Sequence, residues 1–248
     1  VIGGALSDIS LFAPFLGAAA LNFINLSVAL FILPESLTAK SKPIDWRTLN
    51  PLMPLRWALT FRPLVPLLAL FLLISLVSQT YGTLWVLFVE DRFAWNAAEI
   101  GLSLTLYGAL VALAQACATG PLTRRLGERG ALLVGIACDA SGLFVLAFAQ
   151  ASWMAFAAIP LIALGGVGQP ALRSLQSSAV DREHQGELQG VVASFVSLAA
   201  FFGPLIFGGI YALSQPEWSG LAWIAGAAIC ALAVPVALTI PRSAGRRS

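Results

Sequence analysis

The residue most suited to chemistry is Asp139, a carboxyl inside a long apolar segment. It lies near the centre of Ala131–Ala149, whereas the other eleven acidic residues fall in loops or at segment ends. A charge at the centre of a bilayer costs about 2.5–3.5 kcal/mol on insertion scales, so it is usually retained where it faces a water-filled cavity. The position therefore indicates proton coupling or cation binding. The alternative is a structural Asp that is hydrogen-bonded to a neighbouring helix.

Two glutamines also lie within apolar segments, Gln79 and Gln115. Polar side chains in lipid turn towards the interior of a helix bundle. We therefore expect both to line a substrate-binding cavity. The single His, His184, lies in a polar loop, and the sequence shows no metal-ligand spacing, nucleophile triad or phosphate-binding loop.

Two further features could act in gating. Arg124, Gly127 and Arg129 lie in the polar stretch Gly120–Gly130, where clustered Arg side chains could pair with groups that separate when a gate opens. The alternative is that these charges only set topology. Gly203-Pro204 interrupts an apolar segment and could be a bending point or a site of close helix packing.

The composition excludes a soluble protein. Of the 248 residues 58% are hydrophobic and only 10% are charged, against roughly 25% in soluble chains. A membrane-spanning helix needs about 20 mostly apolar residues. Seven segments qualify: Pro14–Leu33, Leu64–Val89, Ile100–Thr119, Ala131–Ala149, Met154–Leu172, Val191–Leu213 and Trp218–Ile240. The sequence therefore predicts an all-α, polytopic membrane helix bundle, neither an enzyme nor a nucleic-acid-binding protein.

The basic residues between these segments are concentrated on one side of the predicted membrane. Alternate connections and the C-terminal tail carry thirteen basic residues, and the remaining connections carry Arg92 alone. The positive-inside rule places the basic side, including the C-terminus, in the cytoplasm.

Several motifs resemble the major facilitator superfamily, and within it the tetracycline/proton antiporters of Gram-negative bacteria. The stretches that carry the resemblance are Leu33-Pro34-Glu35-Ser36, Glu90-Asp91-Arg92-Phe93 with Trp95, Leu126-Gly127-Glu128-Arg129, Gln185-Gly186-Glu187-Leu188-Gln189-Gly190 and Gly203-Pro204-Leu205. The resemblance implies twelve helices in two halves, with both termini cytoplasmic. This chain would then be N-terminally truncated, beginning within helix five and containing helices six to twelve.

The resemblance also implies a domain organisation. Residues 1–34 would be the end of the N-terminal half, with a helix-five remnant and helix six. Residues 35–63 would be a cytoplasmic inter-domain loop, residues 64–241 the C-terminal six-helix domain, and residues 242–248 a cytoplasmic tail. A faint repeat between Val1–Gly4 and Ile206–Gly209 fits such an organisation.

The function implied is export of a drug, as a divalent-cation chelate, in exchange for protons across the inner membrane. No resident cofactor is implied, since Mg²⁺ would travel with the drug. The implied partners are the drug, protons, the lipid bilayer and the missing N-terminal half.

The resemblance also assigns residues. Asp139 matches the family's essential membrane aspartate, and Gln115 matches a polar position of the eighth helix. Gly3 and Gly4 fall in the antiporter signature, and Arg124, Gly127 and Arg129 fall in a gating loop. Typical members have a His, associated with proton coupling, where this chain has Val111. The alternatives are an exporter of another amphipathic compound and a non-transporting membrane fragment.

Overall fold

The structure is a computed structural model, and it describes residue 10, residues 12–32, residue 58, and residues 60–215 and 217–240. Several sequence predictions lie outside these residues: Gly3 and Gly4, the helix-five remnant, most of the proposed loop 35–63, and the tail 242–248. Within the described residues all regular secondary structure is helical, as the sequence predicts. The chain divides into two compact units, Val1–Asn50 and Pro51–Ser248.

Among the described residues, the first unit contributes one helix, α1, and the second contributes seven α-helices and one 3-10 turn. Their bounds are α1 Ala13–Ile32, α2 Leu64–Phe93, α3 Ala97–Cys117, α4 Thr119–Ala147, α5 Ser152–Gly165, α6 Gly168–Ser178, the 3-10 turn Arg182–His184, α7 Gln185–Ser214 and α8 Leu221–Thr239.

Seven stretches of the described residues are long and apolar enough to cross a membrane, and each overlaps one of the seven segments predicted from the sequence. One of them, Ser152–Ser178, consists of α5 and α6 in succession. In a helix the backbone N–H and C=O groups form hydrogen bonds within the same segment. The interior of a bilayer requires this, because it offers no water to pair with these groups.

Helix α4 is central to the second unit. It packs against α5, α6 and α8, while α2 packs against α7 and α8 and α3 packs against α5. The core between α2 and α8 is aromatic: the rings of Phe88 and Trp223 are 5.3 Å apart at 76°, an edge-on geometry that aromatic pairs favour. Helices α3, α5, α6 and α8 thereby contact α4, and Asp139 lies in the middle of α4.

Side-chain hydrogen bonds join the helices at the less basic end of the bundle. Trp85 Nε1 donates to Ser103 Oγ at 3.0 Å, and Trp95 Nε1 donates to Ser152 Oγ at 3.0 Å. The Tyr211 hydroxyl donates to Asp91 Oδ2 at 2.9 Å. The Trp residues that topology places near a membrane boundary therefore also link adjacent helices.

The connection before α4 differs from the sequence expectation. The polar stretch Gly120–Gly130 is not an open loop, because the chain is helical from Thr119 onward and departs from helical geometry only at Gly127 (φ 71°, ψ 172°). That φ is strained for a residue with a Cβ and is readily adopted by Gly. Gly127 therefore separates a short helical turn from the long apolar part of α4.

Candidate functional site

A cavity of about 400 Å³ opens beside the middle of α4. Five helices line it: α2 with Val77, Ser78, Tyr81 and Gly82, α3 with Tyr107, Val111 and Gln115, α4 with Asp139, α5 with Ile162, and the start of α6 with Gln169, together with Gly166 between α5 and α6. This cavity combines one ionisable carboxyl, two amides and several hydroxyl groups with apolar walls. Such a combination suits a small ligand with both apolar and polar parts.

Asp139 is partly buried and reaches this cavity from the middle of α4. Its carboxyl forms no hydrogen bond or ion pair with any residue that the structure describes. The alternative of a structural Asp bonded to a neighbouring helix therefore has no support in this part of the chain. A carboxyl in this environment is available to bind a proton or a cation.

Two glycines, Gly135 of α4 and Gly165 of α5, provide the space that the Asp139 carboxyl occupies. A Cβ on Gly165 of α5 would collide with the Asp139 carboxyl, whose Oδ2 would lie only 2.8 Å away. One turn away, a Cβ on Gly135 would lie 2.8 Å from both Gly165 O and Gly168 N. Two helices can approach this closely only where neither has a side chain. The absence of side chains at Gly135 and Gly165 thus makes the room that the carboxyl occupies.

The spanning segment opposite Asp139 is discontinuous. Helix α5 ends at Gly165 and α6 begins at Gly168, with Pro170 in its first turn. Proline at this position lacks the N–H that a continuous helix would need. Irregular backbone at membrane depth is tolerated where it is buried in protein or lines a cavity, and in transporters it commonly marks a binding site.

The structure places the two predicted glutamines differently. Gln115 lines the cavity with Asp139. Gln79 does not: its side chain lies against Gly203 of α7, so close that a Cβ on Gly203 would be 2.6 Å from Gln79 Cγ. Ser78 and Tyr81 line the cavity from α2 instead, because successive residues of a helix point about 100° apart. The substrate-binding assignment of both glutamines stays a prediction.

Sequence reasoning missed Tyr81, Tyr107 and Gln169 as cavity residues. One signal was present: Tyr107, Val111 and Gln115 are spaced four apart, which places them on one face of α3. Their common face lines the cavity. Val111, where the resemblance expects His, therefore lies on the same cavity as Asp139.

The predicted gating residues that the structure describes are not among those that line the cavity. Arg129 donates from Nη1 to Ile240 O at 2.9 Å, and so joins the start of α4 to the end of α8. Arg124 is exposed. Gly203 is buried against Gln79 inside an unbroken α7, and Pro204 is exposed. A gating role for these residues stays a prediction, as it does for Gly3, Gly4 and Gly127.

A second, apolar cavity of about 150 Å³ adjoins the first. The two cavities share Tyr81, Gly82, Tyr107 and Ile162. No group of three or more His, Cys, Asp or Glu side chains that could hold a metal occurs among the residues described.

The fold and site define a multi-pass helical membrane protein with a polar cavity at the depth of a broken helix. Comparison with known proteins names the family, since the Major Facilitator Superfamily profile matches residues 67–248. The chain therefore belongs to the Major Facilitator Superfamily, a family of transporters rather than enzymes.

Individual proteins within this family are similar to the chain over nearly its whole length. The chain is 48% identical over 235 residues to "Tetracycline resistance protein, class C" of Escherichia coli, a match that covers 95% of this chain and 59% of that protein. It is 42% identical over 238 residues to the class G protein of Vibrio anguillarum, with 95% and 60% covered. It is 42% identical over 245 residues to the class E protein of Escherichia coli, with 98% and 59% covered. The chain thus spans about three fifths of the length of these relatives.

Proposed function

We propose that this chain is part of a proton-coupled exporter of tetracycline that works by alternating access. The observation that carries the proposal is the unpaired Asp139 carboxyl on a cavity that also presents Gln115 and Gln169. The relatives named for tetracycline resistance, one of them 48% identical to this chain, indicate tetracycline as the drug.

The mechanism follows from competition for one carboxylate. When ionised, Asp139 binds cationic cargo, here the drug carried as its divalent-cation chelate. When a proton enters and neutralises the carboxyl, that attraction is lost and the cargo leaves. Each proton that moves down the membrane potential contributes about 2.3 kcal/mol per 100 mV.

Three further parts of the proposal concern location and partners. The protein lies in the inner membrane with its C-terminus in the cytoplasm, which the thirteen-to-one distribution of basic residues supports. Its spanning helices contact lipid. An N-terminal half supplies the opposite wall of the transport route, in keeping with the matched length of 59%.

An Asp139→Asn variant tests the proposal. The variant is expressed in the complete reading frame, and pH-driven tetracycline uptake is measured in everted membrane vesicles. We expect uptake to fall to the level of vesicles without the protein, at an unchanged amount of protein in the membrane. Asp181→Asn is the matched control, because Asp181 is exposed and caps no helix with its side chain. Wild-type uptake by the Asp139→Asn variant contradicts the proposal.

The position of Val111 favours a second candidate, an exporter of another amphipathic compound in the same family. Val111 makes the cavity wall apolar where the resemblance expects an ionisable His. Growth inhibition of expressing cells across a panel of amphipathic drugs separates the two. Protection against tetracyclines alone supports the first candidate, and protection against other compounds alone supports the second.

A further inference from the structure

The smaller cavity, of about 150 Å³, is suited to an apolar group. Aromatic and aliphatic side chains line it, among them Trp85, Leu104 and Ile159. Two of its polar groups are already paired, because Trp85 Nε1 donates to Ser103 Oγ at 3.0 Å and Ser103 Oγ donates to Ile100 O at 2.7 Å. A ligand group in this cavity would therefore gain mainly apolar contacts.

Gly82 of α2 lies where the smaller cavity meets the cavity of Asp139. It lines both cavities, and so do Tyr81, Tyr107 and Ile162. Gly82 alone of these four has no side chain. A Cβ added there would meet no described atom within 4 Å, so it would take up space that is now open.

Neither of the usual reasons for a glycine inside a helix applies to Gly82. Glycine is unfavourable within a helix relative to alanine, so its presence calls for a reason. Gly127 shows one reason, a φ of 71°, and it is the only glycine with positive φ among the described residues. Gly203 shows the other, close packing, since its added Cβ would lie 2.6 Å from Gln79 Cγ. The reason that remains for Gly82 is the open space itself.

We propose that Gly82 is a specificity-determining residue that sets the size of the cargo. One cargo molecule places its polar, cation-binding part beside Asp139 and its apolar ring in the smaller cavity, and the missing side chain at Gly82 lets it occupy both. The volumes of about 400 Å³ and about 150 Å³ together lie within the roughly 300–1,000 Å³ of small-molecule sites. The inference rests on the proposed function, because it takes the cargo to be a tetracycline.

The experiment compares two ligands that differ by one group. Sancycline and minocycline are tetracyclines that differ by a single dimethylamino group on the aromatic ring. Their Kd values are measured by equilibrium dialysis with Mg²⁺, on the purified complete protein and its variants. One methylene in an apolar pocket is worth about 10–200-fold. Gly82→Val should therefore raise the Kd of minocycline about tenfold more than that of sancycline, and Gly82→Ala should give a smaller change in the same direction.

Gly108→Val is the matched control. Gly108 lies on α3, lines neither cavity and has no described atom within 4 Å of an added Cβ, so the ratio of the two Kd values should equal that of the parent. Gly82→Val also meets no neighbour, and its thermal unfolding midpoint should be close to that of the parent.

Two results would overturn the inference. One is an unchanged ratio of Kd values in Gly82→Val. The other is an equal loss of affinity for both ligands, which would show that the added side chain disturbs the site without selecting by size. Binding at equilibrium needs no proton gradient, so either result is distinct from retained uptake by Asp139→Asn, which overturns the proposed function.

Discussion

Replacing Gly165 with Ala should displace the Asp139 carboxyl while leaving the stability of the helix bundle nearly unchanged. An added Cβ would lie 2.8 Å from Oδ2 and closer still to other carboxyl atoms, where ordinary contacts begin at 3.4 Å. The carboxyl must therefore move by more than half an ångström. It stands at the free end of a side chain and can rotate, so the backbone of α4 need not shift.

The free energy of unfolding and the rate of tetracycline uptake should then respond differently. Gly to Ala at a helix position favours folding by about 0.5–1 kcal/mol, which offsets part of the steric cost, so the free energy of unfolding should change by less than about 1 kcal/mol. A misplacement of about 1 Å at a reacting group can cost roughly 100-fold in rate. We therefore expect severe loss of tetracycline uptake in vesicles, with a nearly unchanged thermal unfolding midpoint of the purified protein.

Two other glycines provide the comparison. At Gly135 the added Cβ meets the backbone of Gly165 and Gly168, which cannot rotate away, so overpacking should cost about 1–3 kcal/mol and lower the unfolding midpoint. At Gly108 of α3 nothing lies within 4 Å, and Ala should be tolerated in both assays. Wild-type uptake by Gly165→Ala would refute the argument that this contact positions the carboxyl.

Two predictions concern the start of α4. Gly127→Ala places a Cβ at φ 71° and should cost about 1–2 kcal/mol, seen as a lower unfolding midpoint, whereas Gly120→Ala, with open space around it, should not. Arg129→Gln removes the hydrogen bond to Ile240 O and should make the end of α8 more sensitive to limited proteolysis. The exposed Arg124→Gln is its control, and equal digestion of the two variants would contradict that role.

The spanning segments were predictable because crossing a bilayer depends on length and composition, which a sequence displays directly. The break at Gly165–Gly168 was not predicted. Met154–Leu172 is apolar except for Gln169, so hydropathy predicts one continuous segment there. What distinguishes the break is local: three glycines and Pro170 within six residues disfavour a continuous helix.

The candidate site was predictable only in part. Asp139 stands out because a charged residue inside a long apolar segment can be recognised from the linear sequence alone. Tyr81 carries no such signal, since an aromatic residue in a spanning helix usually packs against neighbours, as Tyr81 also does on Trp223. Gln79 shows a different limit of sequence reasoning. Its polarity was recognised, but which neighbour a helix face meets depends on the packing of α2 against α7.

The face of α4 that includes Asp139 explains how a single carboxyl can remain unpaired in so apolar a bundle. Gly135, Asp139 and Gly142 are spaced four and three apart, so they lie on one face, and both glycines contact the α5–α6 segment closely. The tight contacts above and below Asp139 leave only the cavity side open to the carboxyl. An acidic side chain one methylene longer would have no room towards Gly165. The arrangement therefore suits Asp in particular, and it leaves the carboxyl open to the cavity from one direction.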